Sequence, residues 1–408
     1  MSLGNKMNTI RPAHILLPNA KIDMTKWAVI ACDQYTSQPN YWEKVKAFIG
    51  DAPSTLHLIL PEVYLEKNNA KAIKEINDTM ISYIEDRQLI HVGEGFILVE
   101  RSTPHAPKRL GLMISVDLED YSYEPGAKTL IRATEGTILS RIPPREKIRK
   151  NAPLEFPHTL ILADDPKKEI IEGLYNRRHE FKKVYDFDLM MDGGHITGYL
   201  IEDTTKIMKQ FYNLIKQDSD PLLFLVGDGN HSLATSKSHW NHVKSFLTEE
   251  ERVNHPARYA LVEVINLYDE GISFESIHRV VFKPKPDFLP GLMQIAKGEY
   301  DSFVYQSSLG KLQIKLPSKA PHAYQVVQQY IDQYTKKHRS VKVDYVHGDD
   351  HMIEVCDRDN SAIGIYMPAL TKEDLFDFIK EGQVLPKKSF SMGHACEKRF
   401  YLEGKIIK

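Results

Sequence analysis

The run Gly227-Asp228-Gly229-Asn230-His231-Ser232 follows the apolar stretch Leu222-Leu223-Phe224-Leu225-Val226 and precedes Leu233-Ala234-Thr235. An acceptor, an amide, an imidazole and a hydroxyl therefore fall within a few positions of two glycines, which allow tight turning and close approach of a ligand. If a strand ends here and a helix begins, the first helical amides lack intrahelical acceptors and carry partial positive charge. Such a junction suits an anion, typically a phosphate. The same residue types also serve plain backbone geometry and helix capping. The spacing matches neither the phosphate loop ending in Gly-Lys-Ser/Thr nor the Gly-x-Gly-x-x-Gly dinucleotide fingerprint, so a different phosphate-handling fold is required.

A second candidate is the basic segment. Between Lys128 and Lys150 seven basic residues stand against Glu135 and Glu146, a local excess of five positive charges. A helix from Pro144 onward would place Arg145 and Arg149 on one face, four residues apart, and guanidinium forks match phosphate oxygens. A solvated basic surface is the competing reading. Glu135 is the odd carboxylate among these cations, which would keep it ionised. That suits a base for a substrate hydroxyl, or a salt-bridge partner without chemistry.

Asp33-Gln34-Tyr35 follows an apolar strand and offers a substrate cleft at a carboxyl end, or a simple strand-to-loop turn. His347-Gly348-Asp349-Asp350 reads as a turn, with a divalent cation as the alternative. Asp164-Asp165-Pro166 reads as a helix cap. His278-Arg279 reads as structural, and Lys387-Lys388-Ser389-Phe390-Ser391 as a solvated lysine pair or a phosphate contact. The remaining histidines lack metal-ligand spacing, so no zinc is expected.

These residues need a scaffold, and 408 residues suffice for two or three domains of about 100 to 200 residues each. With 42% hydrophobic and 26% charged residues the chain reads as an ordinary globular protein. No stretch approaches the roughly 18 apolar residues of a membrane span. The beginning, Met1 to Lys6, lacks a secretion signal and resembles a cloning addition, which places the protein in the cytoplasm. Cys32, Cys356 and Cys396 are too scattered for a disulfide framework, and a net charge of -2 gives no global attraction to nucleic acid.

Strands are predicted at 28–32, 55–60, 96–100, 110–116, 159–163, from 222, and at 259–265, 303–306, 312–316, 341–346 and 362–367. Helices are predicted at 69–86, 167–185 and 204–216, after Ser232, and at 323–337 and 372–379. In the 69–86 segment Ile73, Ile76, Met80, Ile81 and Ile84 make an apolar stripe. Interleaved elements without repeats predict an α/β or α+β fold with mixed sheets. Composition shifts divide it into regions 1–125 (N-terminal α/β), 126–254 (central, phosphate-binding) and 255–408 (C-terminal α+β).

Over nearly its whole length the chain resembles the bacterial and archaeal family catalogued as domain of unknown function 1015. The resemblance lies in residues 31–39 (Ala-Cys-Asp-Gln-Tyr-Thr-Ser-Gln-Pro), Glu135 to Arg145, Gly227 to Thr235, and Val346 to Asp350. Many members carry Asp-Gly-His-His-Arg at the turn. A similar sequence occurs in ADP-dependent free serine kinases, whose fold is shared with ParB and sulfiredoxin. In those kinases the turn holds nucleotide phosphates, and an upstream glutamate, often within Pro-His-Glu, is the base on the serine hydroxyl. Asp228, Gly229 and His231 match the turn, and Glu135 matches the glutamate. Asn230 replaces the first His, Ser232 replaces the Arg, and Thr134 stands where a His often precedes the Glu. Either Arg141, Arg145 or Lys237 supplies the missing charge, or the activity differs.

The resemblance implies a ParB/sulfiredoxin-like central region and a phosphotransferase acting on a small hydroxyl metabolite, serine or phosphoserine first. ADP or ATP would sit at Gly227, Gly229, Asn230 and Ser232, with Mg²⁺ at Asp228. A phosphate-ester hydrolase is a close variant, and a non-catalytic nucleotide sensor is the alternative from another class. The expected partner is a small molecule, with neither membrane nor nucleic acid.

Overall fold

The computed structural model describes residues 8–36, 38–65, 69–216, 219–386 and 388–408. Residues 1–6, Ser37 and Lys387, which figured in the readings above, lie outside the described residues.

Alternation along the strands sets the architecture. In Leu89–Ser102, Phe96 and Leu98 join one buried cluster with Ile114, Val226, Val262 and Val264, whereas Ile97 and Val99 join another with Met113 and Leu261. The large sheet therefore has a core on each face. Strands covered on both faces are mostly apolar, and every residue of Arg109–Asp117 and of Tyr259–Asn266 is buried, with Arg109, Asp117 and Glu263 as charged exceptions to the apolar pattern. The sheet runs in the order Lys182–Leu189, Gly194–Ile201, Leu89–Ser102, Arg109–Asp117, Tyr259–Asn266, Leu160–Ala163, Phe224–Asp228, Ile131–Ala133, Tyr121–Ser122. It is mixed, since Phe224–Asp228 runs parallel to Ile131–Ala133 and antiparallel to Leu160–Ala163. The protein is thus mixed α/β, with interleaved helices packed on its sheets.

The expected 69–86 helix spans Ala70–Glu85, flanked by Asn69 and Asp86. Its Ile76, Met80 and Tyr83 are buried on the sheet, each worth about 1.5–3 kcal/mol, while Ile81 faces solvent. On the opposite core lie Ile207 and Phe211 of Thr205–Asn213 and Leu233 and Trp240 of Asn230–Val243.

Two elements differ from expectation. The predicted 167–185 helix is a short helix, Ile171–Asn176, whose approach is fixed by the Asp165 carboxylate accepting from the Ile170 amide at 2.9 Å. A 3-10 turn at Arg178–Glu180 then leads into the strand Lys182–Leu189. Tyr185, Phe187 and Leu189 alternate with exposed Asp186 and Asp188, so the period of two prevails there. The predicted 55–60 strand is a 3-10 helix, Thr55–Leu58, because the Ser54 hydroxyl caps the Leu56 amide at 3.2 Å.

Two compact units divide the chain. One runs through Ile272 and also takes in His394–Lys408, and the other is Ser273–Gly393. Positions 125 and 254 both fall inside the first unit, whose sheet joins Arg109–Asp117 to Tyr259–Asn266. The second unit has its own sheet, ordered Gly310–Leu316, Tyr300–Gln306, Ile363–Ile365, Phe274–Phe282, Lys342–His347. Ala320–Lys337 contributes Tyr324, Val327 and Ile331 to its interior. In this unit Gly348 precedes the helix Asp349–Arg358, and Asp349 contacts the buried His278 at 2.8 Å. The buried Arg279 lies against the rings of Tyr324 and Tyr345. Among the described residues no helix is long and apolar enough to cross a membrane.

Candidate functional site

The Gly227 turn is a strand-to-helix junction. Phe224–Asp228 ends at Asp228, Gly229 takes a left-handed conformation at φ 76°, and the helix starts at Asn230, ahead of the expected start after Ser232. Glycine is needed at 229 twice over. A Cβ there would lie 3.0 Å from both the Cα and the Oγ1 of Thr159, and positive φ penalises any side chain. The first helical hydrogen bond runs from the Leu233 amide to the Gly229 carbonyl at 3.0 Å, so the amides of Asn230, His231 and Ser232 precede it without intrahelical acceptors.

Register brings Glu135 to this end. Ala133 pairs with Val226 in the parallel ladder, and the Thr134 hydroxyl donates to the Val226 carbonyl at 2.6 Å. Glu135 and Asp228, each two residues further along, leave neighbouring strands at the same edge of the sheet. Gly136 has open space where its Cβ would be. The loop then returns to the helix, where the Ile138 amide donates to His231 Nε2 at 3.2 Å. That bond makes Nε2 the acceptor and leaves the ring proton on Nδ1. Burial, with Arg141 and then Arg145 nearby, lowers the His231 pKa to about 4, so the neutral ring is the resting form.

The cations of the basic segment have separate tasks. Arg145, on the helix Ile142–Arg149, pairs with Glu62, while Arg149 pairs with Glu155 at 2.5 Å and Arg132 with Asp220. Arg141 is exposed and, among the described residues, forms no ion pair. Lys237 is drawn elsewhere, its ammonium 2.7 Å from the Leu118 carbonyl and 3.8 Å from Glu119. Of the three cations named for the missing charge, Arg141 is thus the one beside His231 and without a carboxylate partner.

Several residues here carried no sequence signal. Lys398 Nζ lies 3.3 Å from Asp228 Oδ2, while Asp228 Oδ1 accepts from the Gly229 amide at 2.9 Å. Burial opposes ionisation of Asp33, yet His158, the Gln34 amide (3.0 Å) and Lys398 together hold its carboxyl below the usual range. Tyr401 bridges this corner: its hydroxyl meets His158 Nδ1 at 2.9 Å and accepts from the Cys32 amide at 3.2 Å. Burial and Asp33 push the Cys32 thiol up to about 12, which leaves it an unreactive thiol. Tyr35, at φ 53°, stacks on Tyr41 with ring centroids 3.8 Å apart.

Two polar atoms beside the turn are buried and unpartnered, Thr137 Oγ1 from the Glu135 loop and Asn230 Oδ1 from the first helical residue. Buried unpaired polar atoms are costly, by about 1–3 kcal/mol each, and a polar ligand would satisfy them. Asp228, the residue expected at Mg²⁺, is engaged by protein groups. Both Asp228 oxygens already have partners, and among the described residues no group of three or more His, Cys, Asp or Glu is arranged to hold a metal.

The profile of the family described as "Protein of unknown function (DUF1015)" matches residues 10–356. The chain belongs to this family. Glu135 and the Gly227 turn lie within the DUF1015 match, and Lys398 lies beyond it. Among solved structures, a conserved hypothetical protein from Pyrococcus furiosus is 10% identical, with a TM-score of 0.38 over 72% of this chain and 95% of its own. A free serine kinase in complex with AMP is 9% identical, with a TM-score of 0.40 over 72% of this chain and 91% of its own. SbnI from Staphylococcus aureus, truncated at its C-terminus, is 9% identical, with a TM-score of 0.40 over 71% of this chain and 85% of its own. No curated protein matches the sequence.

Proposed function

We propose that this protein is a phosphotransferase that moves a phosphoryl group from ADP or ATP to the hydroxyl of a small metabolite, serine or phosphoserine first. The observation that carries this reading is the parallel register, which sets a carboxylate beside a left-handed glycine turn and a helix N-terminus. Glu135 takes the proton as the substrate oxygen attacks phosphorus. The new P–O bond forms as the bond to the shortened nucleotide breaks. In-line transfer depends chiefly on positioning and on charge stabilisation. The amides of Asn230 to Ser232, the Nδ1–H of neutral His231 and the guanidinium of Arg141 are the groups available for the phosphate oxygens. Thr137 and Asn230 gain partners when the site fills. Hydrolysis is the variant in which water takes the acceptor's place.

A second reading, a nucleotide sensor without chemistry, draws on the ion pair that already engages Asp228. The two readings part at Glu135. Thermal shift with ADP and ATP, followed by phosphorus NMR with serine or phosphoserine, measures binding and turnover separately. Glu135→Gln is expected to abolish turnover while leaving nucleotide affinity within about threefold, since general-base assistance contributes about 10²–10⁴ in rate. Unchanged turnover removes Glu135 as the base, and a wild type that binds no nucleotide removes the phosphate cradle itself.

A further inference from the structure

We propose that Lys398 is a phosphate-contacting residue of this site: its ammonium rests on Asp228 when no nucleotide is present and turns to the phosphate oxygens when one is bound. The inference builds on the phosphotransferase reading and answers where the charge missing at Ser232 comes from. Three features lead to it.

The backbone around Lys398 is held rigidly. Its carbonyl accepts from Arg101 at 2.7 Å, and Arg109 bonds the Glu397 carbonyl at 2.8 Å. The next residue, Arg399, is buried against Glu263 at 2.7 Å and pairs with Glu403. Phe400–Tyr401 forms a ladder with Val29–Ile30, the strand that leads to Asp33. A fixed anchor delivers the lysine stem to the turn without further ordering of the chain.

The ammonium itself is enclosed at the turn. Only 10% of its side chain is exposed, yet its distance to Asp228 is 3.3 Å, outside the 2.7–2.9 Å of a tight charge-assisted bond. It also acts on Asp33, so it serves two carboxylates that converge on the same end of the sheet. Lysine is a point charge with three rotatable donors on a flexible stem, suited to exchanging one anion for another.

The local charge balance calls for such a residue. Arg132, Arg145 and Arg149 are paired with carboxylates, and Lys237 faces Leu118 and Glu119. Arg141 is exposed, whereas Lys398 is enclosed and touches the turn through Asp228.

Calorimetric titration of wild type, Lys398→Met and Lys398→Arg with ADP, ATP and adenosine tests the proposal. Lys398→Met should weaken ADP and ATP binding about tenfold to a hundredfold, the range for a lost charge-assisted hydrogen bond, leave adenosine unaffected and flatten the salt dependence. Lys398→Arg should restore much of the loss. Lys398→Met that binds both nucleotides within about twofold of a binding wild type overturns this inference alone. A wild type that binds neither overturns the phosphotransferase reading and this inference with it. Should Lys398→Met fail to fold, reductive methylation of the wild type read by mass spectrometry decides. Suppression at Lys398 by ADP but not by adenosine upholds the contact, and equal labelling in both overturns it.

Discussion

The Thr134 hydroxyl donates to the Val226 carbonyl across two parallel strands at 2.6 Å, with both residues fully buried. This bond fastens the strand ends one residue before Glu135 and two residues before Asp228. Thr134→Val keeps the shape and removes the donor. The expected loss is about 1–2 kcal/mol in urea denaturation, with a larger proportional fall in turnover than in nucleotide affinity. An unchanged denaturation midpoint would show that the ladder alone fixes the strand ends.

Gly229→Ala adds a methyl group 3.0 Å from Thr159 and demands a left-handed conformation at φ 76°. An L-residue there loses about 1–2 kcal/mol on conformation alone, and Thr159 must move as well. Thermal unfolding should show destabilisation of about 2–3 kcal/mol, together with loss of nucleotide binding. A variant as stable as the wild type would mean that the turn relaxes freely.

Arg141 and Arg145 are four residues apart and should behave oppositely. Arg141→Ala, at an exposed position, should change stability by less than about 0.5 kcal/mol and weaken ADP binding about tenfold. Arg145→Ala strands the mostly buried Glu62 carboxylate and should destabilise by about 2–3 kcal/mol. The double variant with Glu62→Ala should cost less than the two single changes added together. Additive losses in that cycle would deny the pair.

The pH dependence of stability follows from His231. Its pKa falls from the ordinary 6.5 to about 4 in the folded protein, so between those values the unfolded chain binds a proton that the folded chain refuses. Its contribution is complete above pH 6.5 and is lost as pH falls through about 4. His239, lowered to about 4 by burial and Arg149, adds a second loss of the same sign. The urea midpoint should drop between pH 7 and pH 5, and His231→Asn should reduce that drop without removing it. An identical pH profile in the variant would reject His231 as a source.

Local features were legible in the sequence. The Ala70–Glu85 helix was readable because its apolar residues repeat at one helical period, and the Gly227 turn because its glycines interrupt an apolar strand. Ile170 to Val184 misled because apolar residues at helical spacing were split between a short helix and an alternating strand, and the Asp165 contact with the Ile170 amide sets where the helix starts. The surplus of charge in the Lys128–Lys150 segment overstated its openness, since the partners Glu62, Glu155 and Asp220 are brought in by the fold. Lys398 and His158 were invisible for the same reason. Ion pairs between segments so far apart in the chain leave no periodic trace.

The return of His394–Lys408 to the first unit sets an order on synthesis. A ribosome releases Glu135, Asp228 and the whole of Ser273–Gly393 before Lys398 emerges and Phe400–Tyr401 can pair with Val29–Ile30. At about 5–20 residues per second, the nascent chain spends roughly 10–30 seconds with the turn made but its lysine and the Arg399 cluster missing. A polypeptide stalled or cleaved within the inserted unit would lack that closing segment. Completion of the site therefore reports that the inserted unit has been translated.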